Sequence, residues 1–75
     1  MHISVNGETV ATSPMSVLDY LATLSIDPQR VAVELNLDIL PKADYGTTML
    51  KEGDRVEIVH FVGGGARHWA PGTRL

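Results

Sequence analysis

Three consecutive glycines, Gly63-Gly64-Gly65, follow the apolar and largely β-branched run Val56-Glu57-Ile58-Val59-His60-Phe61-Val62. A strand that runs into residues without side chains presents its own backbone, and the reactive group of a backbone end is its carboxyl. Glycine keeps such an end thin and conformationally open, so it can enter a narrow active site on another protein with no side chain beside the reacting carbonyl. Here Gly65 is followed by the segment Ala66 to Leu75, which leaves its carboxyl tied in an amide that must be cut before it can react. The same glycines also read as a flexible hinge before a disordered end.

Other chemistry finds little support. His2, His60 and His68 have no short metal-ligand spacing and the carboxylates are scattered, so no metal site is expected. The chain has no cysteine, which excludes disulfides, thiolate metal sites, a cysteine nucleophile and a cysteine sulfur relay. Ser13, Ser16 and Ser25 have no triad partners in view, and Asn6-Gly7 reads as a turn. Gly63 to Gly65 lacks the lysine and following helix of a nucleotide-binding loop. At 75 residues the chain is one small domain with little sequence to spare for catalysis of its own, and no bound cofactor is expected.

Charge is uneven. The formal net charge is −3, but Arg67 and Arg74 lie after the glycines, so 4 basic residues face 9 acidic ones before them. An acidic body repels phosphate backbones and disfavours nucleic acid; it suits a basic protein partner better. No apolar run is long enough to span a bilayer, and Met1-His2-Ile3-Ser4 lacks a secretory signature, so no membrane association and a cytoplasmic location are expected.

The elements that must position the glycine end can be read from periodicity. Ile3 and Val5 alternate with Ser4, Asn6-Gly7 tolerates positive φ, and Thr9 to Thr12 resumes strand-like composition, which predicts a hairpin. Val17, Leu18, Leu21 and Leu24 are predicted to share the buried face of a helix, with Asp19, Tyr20 and Thr23 largely off it. Ser16 with Asp19 resembles a capping box, Ser13 competes as the cap, and Ile26-Asp27-Pro28 is predicted to end the helix. Val31, Val33 and Leu35 give a third strand. Asn36-Leu37-Asp38 reads as a turn, Ile39-Leu40 as a short strand stopped by Pro41, Lys42 to Thr48 as an irregular crossing, and Gly53-Asp54 as a turn before the last strand. Tyr20 and Tyr45 are candidates for the edge of the core. The predicted fold is α+β, a mixed sheet of four or five strands with one main helix packed on one face. Residues 1–62 form the domain; 63–75 form a flexible glycine-rich end and tail.

Strand parity adds a surface. Val56, Ile58 and His60 point one way, and Arg55, Glu57, Val59 and Phe61 the other. If the first set meets the helix, with His60 half-buried, then Val59 and Phe61 are apolar residues on the outer side, next to Val62 and the glycines. Val59, Phe61 and Val62 are therefore candidate partner-docking residues. A local twist or bulge would instead turn Phe61 back into the core.

The strand order, Val33-Glu34-Leu35-Asn36 with Ile39-Leu40-Pro41, and above all the run from Gly53-Asp54-Arg55 through Phe61-Val62-Gly63-Gly64-Gly65, resemble the ThiS family of sulfur carriers. The resemblance covers residues 1–65. It implies a ubiquitin-like β-grasp fold and a terminal glycine, Gly65, that is adenylated by a ThiF-like activating enzyme using ATP and then thiocarboxylated, with Gly63 and Gly64 supporting that end. It further implies delivery of sulfur to a ThiG-like thiazole synthase in thiamine biosynthesis. Family members end at the diglycine, so the 66–75 tail is a departure. It is a native extension removed by a processing protease, a foreign addition, or the mark of lost activity. Trp69 could also fold back on an apolar patch. A MoaD-like carrier for molybdopterin, a ubiquitin-like protein modifier and a non-catalytic β-grasp interaction domain remain the other readings.

Overall fold

The computed structural model describes residues 1–61. Val62, Gly63, Gly64 and Gly65, the 66–75 tail with Trp69, and the domain boundary expected after residue 62 lie outside the described residues. Strands β1 (His2–Val5) and β2 (Glu8–Ala11) form an antiparallel hairpin closed by Val5↔Glu8. Its turn residues Asn6 and Gly7 both take left-handed backbone, at φ 49 and 86, the geometry in which a two-residue loop matches the twist of its strands. The same device recurs later, where β3 (Val31–Leu35) turns into β4 (Asp38–Leu40) through Asn36 at φ 53 and Leu37 at φ 75. Asp38, placed in the turn by sequence, instead pairs with Leu35 and starts β4, and the strand stops at Leu40, before Pro41.

The last strand, β5 (Arg55–His60), lies in the middle of the sheet, whose order is β2-β1-β5-β3-β4. It runs parallel to β1 through Ser4↔Arg55 and Val5↔Val56, and antiparallel to β3 from Leu35↔Val56 to Val31↔His60. Both asparagines of the hairpin turns reach into this central strand. The Ile58 N–H donates to Asn6 Oδ1 at 2.7 Å and Asn6 Nδ2 donates to the Ile58 carbonyl at 3.2 Å. On the other side, the Arg55 N–H donates to Asn36 Oδ1 at 2.9 Å and Asn36 Nδ2 donates to Asp54 Oδ1 at 3.1 Å. Each turn thus supplies a side-chain amide where its neighbouring strand no longer offers a backbone one.

Helix α1 (Val17–Thr23) is capped by Ser16, whose Oγ accepts the Asp19 N–H at 3.0 Å, so Ser16 rather than Ser13 takes that role. The buried face differs from the predicted one. Val17, Tyr20 and Leu21 are buried, whereas Leu18 and Leu24 are 39% and 44% exposed. Positions three and four after Val17 stack above it on a helix, so Tyr20 and Leu21 share its face and Leu18, one residue on, does not. Leu24 lies in register but falls at the helix terminus. The helix also ends before the expected Pro28. Ser25 takes φ 58, the Ser25 N–H donates to the Ala22 carbonyl and the Ile26 N–H to the Leu21 carbonyl, both at 3.0 Å. That left-handed residue closes the last turn, and Pro28 opens a short 3-10 segment, Pro28–Arg30.

The core between helix and sheet is built from Ile3, Val31, Val33, Val56 and Ile58 below, Val17, Tyr20 and Leu21 above, and Tyr45 and Leu50 from the stretch between β4 and β5. One helix lying across one face of a five-stranded mixed sheet is the ubiquitin-like β-grasp arrangement. No helix among the described residues is long and apolar enough to cross a membrane.

Candidate functional site at the end of the central strand

The glycine segment continues from β5, so the site is the place where that strand leaves the sheet. Val56 and Ile58 are 2% and 0% exposed and anchor the strand under the helix, as their parity predicts. Burying side chains of this size contributes about 1.5–3 kcal/mol each, which fixes the strand as a rigid base for whatever follows. His60 is half-buried and sits opposite Val31.

The outer side of β5 departs from expectation. Val59 is 2% exposed, although it lies outside the main core cluster. It is therefore not an exposed docking residue. Parity says which face a residue takes, not how much of it is covered; Val59 sits in the central strand opposite Ala32. Phe61 is half-buried and outside the core cluster, so no bulge has turned it inward. Its N–H donates to the Arg30 carbonyl at 3.0 Å, which extends the β5 to β3 pairing one residue past the strand.

Lys42, from the irregular crossing between β4 and β5, joins this end. It opens the short 3-10 turn Lys42–Asp44 that follows Pro41. Its Nζ donates to the Val31 carbonyl at 2.8 Å and lies 4.7 Å from the centre of the Phe61 ring. The Tyr45 hydroxyl donates to the same carbonyl at 3.2 Å. Burial raises the Tyr45 pKa above its ordinary 10.0, which keeps the phenol protonated and able to donate. Proline has no N–H and ends the β4 ladder, so two side chains converge on a strand carbonyl just past the point where pairing with β4 ends. No periodicity marks such a residue, because its role comes from a contact between Lys42 and Phe61 across the fold.

Among the described residues, no group of three or more His, Cys, Asp or Glu side chains could hold a metal ion. What the site offers chemically is a rigid strand end, an aromatic ring under a cation, and the chain beyond it. A sequence model of the ThiS family matches residues 3–65. The chain belongs to the ThiS family. Its ThiS-family match takes in the central strand and all three glycines. The chain is 42% identical over 50 residues to "Sulfur carrier protein ThiS" of Bacillus subtilis, covering 67% of this chain and 76% of that one. It is 43% identical over 67 residues to a thiazole synthase of Paramagnetospirillum magneticum, covering 88% of this chain but 21% of that protein. The chain thus spans about a fifth of the length of such relatives; a second thiazole synthase, from Magnetococcus marinus, is 39% identical over 87% of this chain and 20% of its own. The fold of this ThiS-family chain matches the crystal structure of the thiamine biosynthesis protein ThiS of Geobacter metallireducens, with a TM-score of 0.76, 33% identity, and coverage of 87% of this chain and 100% of that one.

Proposed function

We propose that this protein is a sulfur carrier whose Gly65, once freed from the tail, bears the sulfur used in thiamine thiazole formation. The observation that carries the reading is a ThiS-family match that runs through the central strand and ends at Gly65. A carboxylate is a poor electrophile. Attack of the Gly65 carboxylate on the α-phosphorus of ATP gives an acyl adenylate and releases pyrophosphate. A donor delivering sulfur at the hydrosulfide level then attacks the acyl carbon, AMP leaves with the electrons of the broken carbon–oxygen bond, a proton is lost, and a thiocarboxylate remains. The catalytic groups and the nucleotide belong to a ThiF-like activating enzyme; the carrier contributes a rigid body and a narrow end.

The acceptor in this reading is a ThiG-like thiazole synthase. Support comes from the thiazole synthases of P. magneticum and M. marinus, in which a segment similar to this chain makes up about a fifth of the protein. Docking falls to Phe61 and Val62, while Val59, two residues before Phe61, is buried. Four basic residues against nine acidic ones before the glycines match a partner with a basic surface. A protease must first cleave between Gly65 and Ala66.

The test is the intact mass of the protein isolated from its own cells under mildly acidic conditions that spare a thiocarboxylate. Expected is a chain ending at Gly65, part of it carrying sulfur in place of one carboxyl oxygen. A population uniformly uncut after Gly65 would sink the carrier reading, and masses showing Gly65 joined to lysines of other proteins would replace it with a modifier.

A further inference from the structure

Lys42 is placed with more care than a surface lysine needs. Among the described residues it forms no ion pair, whereas Arg30 lies 3.6 Å from Asp27 and Arg55 lies 3.9 Å from Glu57. Its ammonium instead rests on a backbone carbonyl at 2.8 Å and over the Phe61 ring at 4.7 Å. Holding a long side chain in one geometry forfeits rotamer freedom, and a neutral carbonyl returns less than a carboxylate would. The two contacts join the start of β3 to the residue just past the end of β5, and the Phe61 N–H on the Arg30 carbonyl closes the same corner. The corner clamps Phe61 from its backbone and its ring face at once.

We propose that Lys42 is a positioning residue, resting on the carrier reading above, that holds Phe61 in place for the activating enzyme. A carrier whose body has docked still has to thread its glycine end into the activating enzyme, and a Phe61 held in one place gives that end a fixed point of departure. Positioning of this kind acts on the bound complex, so it raises the productive fraction and not the strength of docking.

The test compares chains ending at Gly65, which keep every described residue, in adenylation by a ThiF-like enzyme. Lys42→Met keeps the aliphatic stem over Phe61 and removes the ammonium; Lys42→Arg keeps a cation able to make both contacts. Expected for Lys42→Met is a fall in kcat of about tenfold at unchanged KM, with unchanged thermal stability, and rescue by Lys42→Arg. A raised KM at constant kcat would overturn the proposal and make Lys42 a partner contact. Loss in step with thermal stability would make it structural, and wild-type behaviour of Lys42→Met would remove it altogether. In the full chain, amide exchange at Phe61 should quicken in Lys42→Met, and unchanged exchange would overturn the clamp whatever the carrier does. A wild-type chain that is not adenylated would count against the carrier reading alone.

Discussion

Two residues hold left-handed backbone that their side chains do not suit. Ser25 at φ 58 closes the helix, and Leu37 at φ 75 completes the β3 to β4 turn with 69% of its surface exposed. A side chain in this region costs about 1–2 kcal/mol, and at Leu37 little burial offsets it. Leu37→Gly is therefore expected to stabilise the domain by about 1 kcal/mol, a rise in Tm of roughly 4–8 °C for a chain of this size. Ser25→Gly should act in the same direction. Thermal unfolding followed by circular dichroism checks both; a fall in Tm for Leu37→Gly would mean that its side chain packs usefully in solution.

The central strand is the element through which the fold is assembled, and the two turn asparagines are its side supports. Asn6→Gly and Asn36→Gly keep the backbone geometry of each turn but delete the side-chain bonds to Ile58, Arg55 and Asp54. Each is expected to lose about 1–2 kcal/mol, a net hydrogen-bond contribution plus the penalty of a strand group left unpaired, seen as a lower urea midpoint. Equal or higher midpoints would show that glycine's ease at positive φ outweighs the bonds. Much of this architecture is legible in sequence. Asn6-Gly7 announced the first hairpin, the alternation of Val31, Val33 and Leu35 announced β3, and the parity of Val56 and Ile58 placed β5 against the helix. What failed did so for identifiable reasons. The helix face was read from leucines, but Tyr20 carries enough apolar surface to take the position that geometry assigned it. Val59 shows the limit of parity, which assigns a residue's face and not how far that face is covered. Lys42 was not legible at all, since nothing local distinguishes a lysine that reaches a distant carbonyl and ring.

For the molecule as a whole, alkaline pH probes how tightly helix, crossing and sheet close on one another. Burial raises the pKa of both Tyr20 and Tyr45 above the ordinary 10.0, so folding favours their neutral forms. The associated stability is fully present below pH 10.0 and is lost as pH rises through the higher folded values. Denaturant midpoints on either side of that pH should fall on the alkaline side, and more shallowly in Tyr45→Phe; an identical slope in the variant would assign the effect elsewhere. The topology has a mechanical consequence as well. Strands β1 and β5 are adjacent and parallel, joined by Ser4 N–H to the Asp54 carbonyl and Asn6 N–H to the Val56 carbonyl, both at 2.9 Å. A load applied between the chain before β1 and the chain after β5 pulls these strands past each other, so the bonds between them bear it together and do not peel one at a time. A pull on the end of β5 against the start of β1 is therefore resisted by the body of the sheet as one unit.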